Sequence, residues 1–428
     1  MSSPAPRLEA RRRLSPEWLL IAFLWGCYVL NHADRQVVYT LFPALQKEFG
    51  YSDAVVGLTG ALFLWVYALC SPLAGILGDR FSKAKLVTLS VGIWSAFTVL
   101  SGLSPNGIFL LVCRALLGVS ESMFMPAAYA LMAAAHGPET RSRAVGIFAT
   151  SQMVGVAVGG SLSGFVAERL HWRASFWILG TIGILFTWPL WRFLSSMPRS
   201  FSENKGTEKA RLGTFVGLLR VPSLGVVTLF VAVATFGLYL VYTWLPTFLY
   251  DKFHLGLARA GFEASVYPQI GTVTGLLVGT SIADIYFRRT KASRFWVIAA
   301  ALFGAAPCLA LIGGSGTLDS TRLAAMGFGF FAGFISGNHA AAAFEVVPAS
   351  LRASAVGMLN LIGVGMSGFA PFLGGLARRT IGVDRLMSLT SVVYVVTGCV
   401  VIWGTLRYFT RDYAHAQKQG ISRFALLK

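Results

Sequence analysis

Apolar positions in this chain come in long unbroken runs rather than in the narrow stripes of a water-soluble fold. About twelve such runs are found, at roughly 17–43, 54–79, 86–104, 108–134, 144–168, 175–196, 223–250, 260–283, 293–313, 322–347, 353–376 and 388–408. Each is near the ~20 residues that carry a helix across ~30 Å of hydrocarbon. Lipid offers no partner to an unpaired backbone group, so such a segment spans as a helix or as one strand of a closed barrel. Barrel strands alternate polar and apolar over about ten residues, and these runs do not. The pattern predicts an all-α membrane protein with twelve transmembrane helices.

Polar interruptions organise the spans. The longest, 197–221, carries Ser202, Glu203, Asn204, Lys205 and Gly206 and reads as a linker. It divides the chain into a six-helix bundle at 1–196 and a second at 222–428. The two look duplicated. After the fourth span Arg141 is followed by Ala144, Val145 and Gly146, and after the tenth Arg352 is followed by Ala355, Val356 and Gly357, 211 residues on. Glycine-rich runs ending in an acid follow the second and eighth spans, with Asp79 and Asp284 at an offset of 205. The expected architecture is two pseudo-symmetric six-helix bundles related by an axis along the membrane normal.

Charged residues are 13% of the chain, against about 25% in soluble domains. A net charge of +18 would suit a nucleic-acid binder, but the positions of the basic residues say otherwise. Of 36 Lys and Arg, 25 fall on one side of the predicted membrane, 9 on the other and 2 inside spans. That asymmetry predicts a multi-pass inner-membrane protein with both termini cytoplasmic, and no basic patch carries the interleaved aromatics of a nucleic-acid surface. Cys27, Cys70, Cys113, Cys308 and Cys399 are scattered through spans as small apolar residues, neither a disulfide framework nor a metal set. The basic start at Arg11, Arg12 and Arg13 imitates a signal peptide, but the run behind it is too long and contains Asp34 and Arg35, so it reads as the first span.

Gly75, Gly78, Asp79, Arg80, Lys83 and Lys85 between the second and third spans resemble the major facilitator signature, which keeps a glycine, an acid and basic residues at this spacing. Gly78 and Ser82 depart from it, and the copy leading to Asp284 is degenerate because Gly279 sits one place too far away. With twelve spans and the central linker, the resemblance covers essentially the whole chain and implies the major facilitator fold.

A charge in hydrocarbon costs at least ~2.5–3.5 kcal/mol, which makes an intramembrane ionisable residue a functional candidate. Asn31, Asp34, Arg35 and Val38 share one face of the first span, and Arg114, Gly118, Glu121 and Met125 one face of the fourth. At ~1.5 Å per residue the four charges sit at similar depth. They can form a static lock between two helices, although buried ion pairs are poor sources of stability. They can equally work: carboxylates exchange protons as burial and neighbouring arginines oppose one another, and guanidinium groups grip a carboxylate substrate in bidentate fashion. The same residues resemble the anion:cation symporter branch, as do Thr243, Trp244 and Pro246 ending the seventh span and Ala260 to Ser265 entering the eighth. That resemblance implies proton coupling at Asp34 and Glu121 and anion contact by Arg35 and Arg114. Similar acids occur in the spinster branch, whose cargo is lipid-like, and this chain has His32 and Ala33 where the first branch commonly has a tyrosine before the aspartate.

Tyr28, Asn31, Tyr239, Asn338 and His339 complete the candidate substrate contacts, with Phe236, Tyr239 and Thr243 forming a stripe that also reads as packing. Asp79, Arg80, Glu139 and Arg141 belong at the cytoplasmic surface, where the family resemblance implies a gate; Glu345 is a gate or cap. Gly155, Gly159, Gly160 and Gly164 permit close helix approach.

No Gly-Lys pair occurs, so there is no Walker loop, and His32, His136, His171, His254, His339 and His415 lack ligand spacing, which argues against an enzyme. The sequence therefore reads as a monomeric, cofactor-free secondary transporter that moves a small carboxylate or sugar acid with protons by alternating access. A buried aspartate beside an asparagine can also hold sodium. The alternatives are a spinster-like carrier of lysolipid or amphipathic cargo and, from another class, a non-transporting membrane sensor or a membrane enzyme.

Overall fold

The computed structural model describes residues 15–198, 217–218, 220–348 and 351–425, without the side chains of 75–80, 138, 142, 353 and 419–425. Most of the linker and the side chains of Asp79 and Arg80 therefore lie outside the described residues. The chain runs through α1 (Pro16–Thr40), a short α2 (Phe42–Phe49), α3 (Asp53–Arg80), α4 (Lys83–Gly102), α5 (Gly107–Ser122), α6 (Phe124–Ala135), α7 (Pro138–Arg169) and α8 (Trp172–Ser196). Beyond the linker come α9 (Pro222–Phe253), α10 (Leu257–Phe287), α11 (Ser293–Gly314), α12 (Leu318–Val346), α13 (Arg352–Ser367), α14 (Phe369–Thr380) and α15 (Val383–Gly404). A π-helical turn, Thr405–Phe409, leads into α16 (Thr410–Ala425).

Each predicted run is matched by one helix or by two in line, α5 with α6 and α13 with α14. Both divided spans break for the same reason. Pro126 and Pro371 have no N–H to offer the carbonyl four residues back and crowd it with their rings, and those carbonyls belong to Ser122 and Ser367, where α5 and α13 end. Helix starts are also written locally: the Asn106 side chain accepts from the Phe109 N–H at 2.9 Å, and Pro16, Pro138 and Pro222 occupy first-turn positions.

Among the described residues, ten helices are long and apolar enough to cross a membrane. The first and tenth long helices fall outside that set, and they carry buried charge, Asp34 and Arg35 in α1 and Glu345 in α12. Helices α1 to α8 pack chiefly among themselves through α1 on α7, α3 on α5 and α4 on α8. The later helices do likewise through α10 on α12 and α11 on both α12 and α15.

The two sets meet along a seam formed by α7 against α10, α3 against α13 and α14, and α1 against α9. Small residues let backbones touch there. Gly160 and Gly261 face each other directly, and a Cβ on Gly57 would stand 2.2 Å from the Pro371 carbonyl oxygen. Polar contacts reinforce the same end. Arg378 reaches Asp53 and Gln46 at 2.8 Å and Asp251 at 2.6 Å, while Glu168 accepts from the Ala258 N–H at 3.0 Å and so caps the start of α10. Gln36 donates to the Tyr242 carbonyl at 3.2 Å. All of these lie toward the face where α1 ends and α3 begins, the distal face, opposite the face from which α1 starts.

Two glycine substitutions should separate seam from core. A Cβ on Gly164 would lie 2.2 Å from the Leu257 carbonyl oxygen across the seam, so Gly164→Val should lengthen the distance between spin labels at Leu170 and Tyr250. A Cβ on Gly159 would lie 2.5 Å from the Ala33 backbone inside the first set. Gly159→Val should therefore lower the unfolding midpoint, at a cost of about 1–3 kcal/mol, and leave that distance unchanged.

Candidate substrate and coupling site

Two antiparallel helices supply four charges. Arg35 on α1 meets Glu121 on α5 through Nε at 2.9 Å and Nη2 at 2.8 Å, both to the same carboxylate oxygen. Asp34, the residue before it, lies 3.5 Å from Arg114 Nη1. Adjacent residues on α1 thus reach in opposite directions along α5, whose partners are two turns apart on one face. All four are buried, the most open being the Arg35 side chain at 9% exposure. The two acids balance the two bases, so the cluster carries no net formal charge.

Helix α3 supplies the cluster's floor. The Phe63 ring lies 4.8 Å from the Arg35 guanidinium carbon and 5.0 Å from that of Arg114, and Tyr67 lies 4.9 Å from Arg35. Gly118, midway between Arg114 and Glu121 in sequence, permits this approach, since a Cβ there would stand 2.7 Å from the Phe63 carbonyl oxygen. Sequence reasoning missed Phe63 and Tyr67. Their signal was two aromatic rings one turn apart on the span between the charged helices.

Hydrogen-bonding capacity is left over. Neither oxygen of Asp34, none of the three Arg114 nitrogens, and neither Glu121 Oε1 nor Asn31 Oδ1 makes a hydrogen bond, Asp34 and Arg114 meeting only as an ion pair at 3.5 Å. Such vacant capacity in a buried place is costly, and a carboxylate or a proton would use it. Tyr28 is stacked on Phe148 at 4.9 Å and set against the His32 ring at 4.4 Å. From α9, Tyr239 packs onto the same first-set cluster that holds Tyr28 and Phe63.

The neighbours Asn338 and His339 diverge. Asn338 is buried and donates to the Phe334 carbonyl at 2.9 Å, whereas His339 lines a cavity of about 110 Å³ among α9, α12, α13 and α15. Toward the other face, Arg294 pairs with Asp284 at 2.8 Å and with Glu345. Arg141 donates to the Ala133 carbonyl at 3.0 Å and Arg352 to the Phe344 carbonyl at 3.4 Å. Both reach back eight residues, so the duplicated arginines tie down equivalent helix ends. Glu139 is exposed in the first turn of α7.

Removing one member of a buried pair strands its partner, at about 3–5 kcal/mol, whereas replacing both by apolar groups is often neutral. Arg35→Met and Glu121→Leu should each lower the unfolding midpoint, and the double variant should recover most of the loss.

A sequence model of the Major Facilitator Superfamily matches residues 24–371. The chain is 26% identical over 313 residues to a hexuronate transporter of Bacillus subtilis (strain 168), covering 71% of this chain and 73% of that protein. It is 24% identical over 413 residues to a probable L-galactonate transporter of Escherichia coli (strain K12), covering 93% and 89%. A crystal structure of a bacterial homolog to the human lysosomal transporter Spinster, inward-facing and occupied, superposes with a TM-score of 0.77 at 20% identity, covering 94% of this chain and 99% of that one.

Proposed function

The chain belongs to the Major Facilitator Superfamily and is a multi-pass membrane transporter, and from that premise we propose that it moves a small organic anion, a carboxylate or sugar acid, together with a proton by alternating access. The observation that carries this reading is the neutral, buried cluster of Asp34, Arg35, Arg114 and Glu121. A carboxylate entering the cluster adds a negative charge where uncompensated charge is costly. A proton on Glu121 removes one and releases Arg35 to grip the newcomer. Neither event is favourable alone, and each compensates the other. Coupling then follows from charge balance.

The proton is favoured over sodium by the same geometry, since a metal ion at Asp34 would stand next to the Arg114 guanidinium 3.5 Å away. Sugar-acid names among the relatives support an anionic cargo. In this reading Asn31, Tyr239 and His339 line the path of the substrate, and Tyr28 and Asn338 support it through packing.

The 25 basic residues on the side of the termini support a cytoplasmic placement for both ends in an inner membrane, with units at 1–196 and 222–428 joined by 197–221. The closed distal face is then external and the cluster is approached from inside. Arg294 with Asp284 and Glu345 forms one half of a cytoplasmic gate, and Asp79, Arg80, Glu139 and Arg141 form the other.

In proteoliposomes with an imposed pH gradient, Glu121→Gln should abolish accumulation of a labelled organic anion while retaining counterflow exchange. Undiminished accumulation by that variant would remove Glu121 from the coupling. Arg35→Ala should weaken substrate binding at least tenfold, and unchanged affinity would mark the arginine as purely structural.

A further inference from the structure

Helix α9 carries Pro246 in its interior and yet runs unbroken from Pro222 to Phe253. Proline has no N–H for the carbonyl four residues back, so the Tyr242 carbonyl oxygen loses its partner within the helix. At Pro126 and Pro371 the same loss coincides with the end of a helix. At Tyr242 the first half of the molecule makes it good, because the Gln36 side chain on α1 donates to that carbonyl at 3.2 Å.

Gln36 is 2% exposed and follows Asp34 and Arg35 directly, one turn inside the end of α1. Successive side chains leave a helix in different directions. The turn that sends Asp34 and Arg35 to α5 therefore sends Gln36 across the seam. Its amide also reaches the Ser265 hydroxyl on α10 at 3.4 Å. Gly160 leaves room for that hydroxyl, since a Cβ at this position would collide with it. The charged contacts of Arg378 with Asp53 and Asp251 lie farther out and are partly exposed.

We infer that Gln36 is a positioning residue of the transport cycle, an inner latch that holds the distal face shut at the depth of the charge cluster by engaging the Tyr242 carbonyl that Pro246 frees. The latch rests on the alternating access of the proposed function and needs neither the anion nor the proton. A buried carbonyl without a partner is costly, so α1 and α9 resist parting here while the seam is dry. Water that follows the opening inward can replace the bond on both sides. Both partners are neutral, so no charge is stranded when they separate. Water that reaches Gln36 has also reached the residue next to Arg35, which ties the parting of the seam to the wetting of the cluster.

Distances between spin labels at the exposed Leu170 and Tyr250, on opposite sides of the seam, test this in the purified full-length chain in nanodiscs without substrate. Gln36→Leu leaves the Tyr242 carbonyl bare in the closed state and hydrated in the open one. It should raise the ratio of long to short distances about fivefold or more. Pro246→Ala gives that carbonyl an N–H within α9, so the double variant should return the ratio most of the way to the wild-type value. Lost packing alone predicts no such rescue. An unchanged ratio in Gln36→Leu, or a double variant as open as the single one, overturns the inference. If Gln36→Leu does not fold, Gln36→Asn, whose amide is one methylene too short, carries the same two expectations. Gly164→Val separates the failures: a long distance there with none in Gln36→Leu strikes the latch alone, and none in either strikes the latch and alternating access together. A wild-type chain that shows the expected distance shifts in its variants but no pH-driven accumulation strikes the anion and proton coupling and leaves the latch.

Discussion

Two ion pairs between α1 and α5, placed where water scarcely reaches, constrain the rest of the molecule. Hydrocarbon tolerates them only because each charge faces its opposite, so the adjacent Asp34 and Arg35 demand partners two turns apart on the facing helix. That demand sets the register of α5 against α1. It also demands an aromatic surface beneath the guanidinium groups, which Phe63 supplies because Gly118 lets α3 come close. On the other side of α1, Gly155 and Gly159 bring α7 against Val29 and Ala33. A polar centre is thus held by a shell of small and aromatic residues.

Closure at the distal face uses different physics. Backbone meets backbone at Gly57 with Pro371 and at Gly160 with Gly261, while Arg378 and Glu168 add charge-assisted contacts at the rim. The rim pairs are partly exposed, where ion pairs are weak and screened, and they can separate without stranding a charge in lipid. The inner pairs cannot part so cheaply, and a strong lock at the centre therefore coexists with a releasable one at the edge.

Much of this was legible in the chain. Twelve apolar runs became helices because lipid permits few other solutions, and the four intramembrane charges share one cluster because their helical spacing put them at similar depth. The pairing of particular acids with particular bases was not legible, since depth alone leaves both pairings open. Nor was the role of Phe63 and Tyr67, whose contribution depends on how closely α3 approaches. The divisions at Met123 and Gly368 follow from Pro126 and Pro371, but a proline inside an apolar run does not by itself say whether a membrane helix bends or breaks. Asn338 and His339, neighbours in sequence, point to different surroundings, a distinction set by which helices pack beside α12.

The meeting of Gly160 and Gly261 bears on how the protein moves. Leucine knobs seated in holes would have to be lifted out before one helix could roll over another. Here the backbones meet with only the short side chains of Ser265 and Thr40 beside them, so a small rotation about that point exchanges one set of van der Waals contacts for a nearly equal one. The crossing can serve as a fulcrum for rocking: friction there is low, and the ease of the swing is governed by the charged latches at either end.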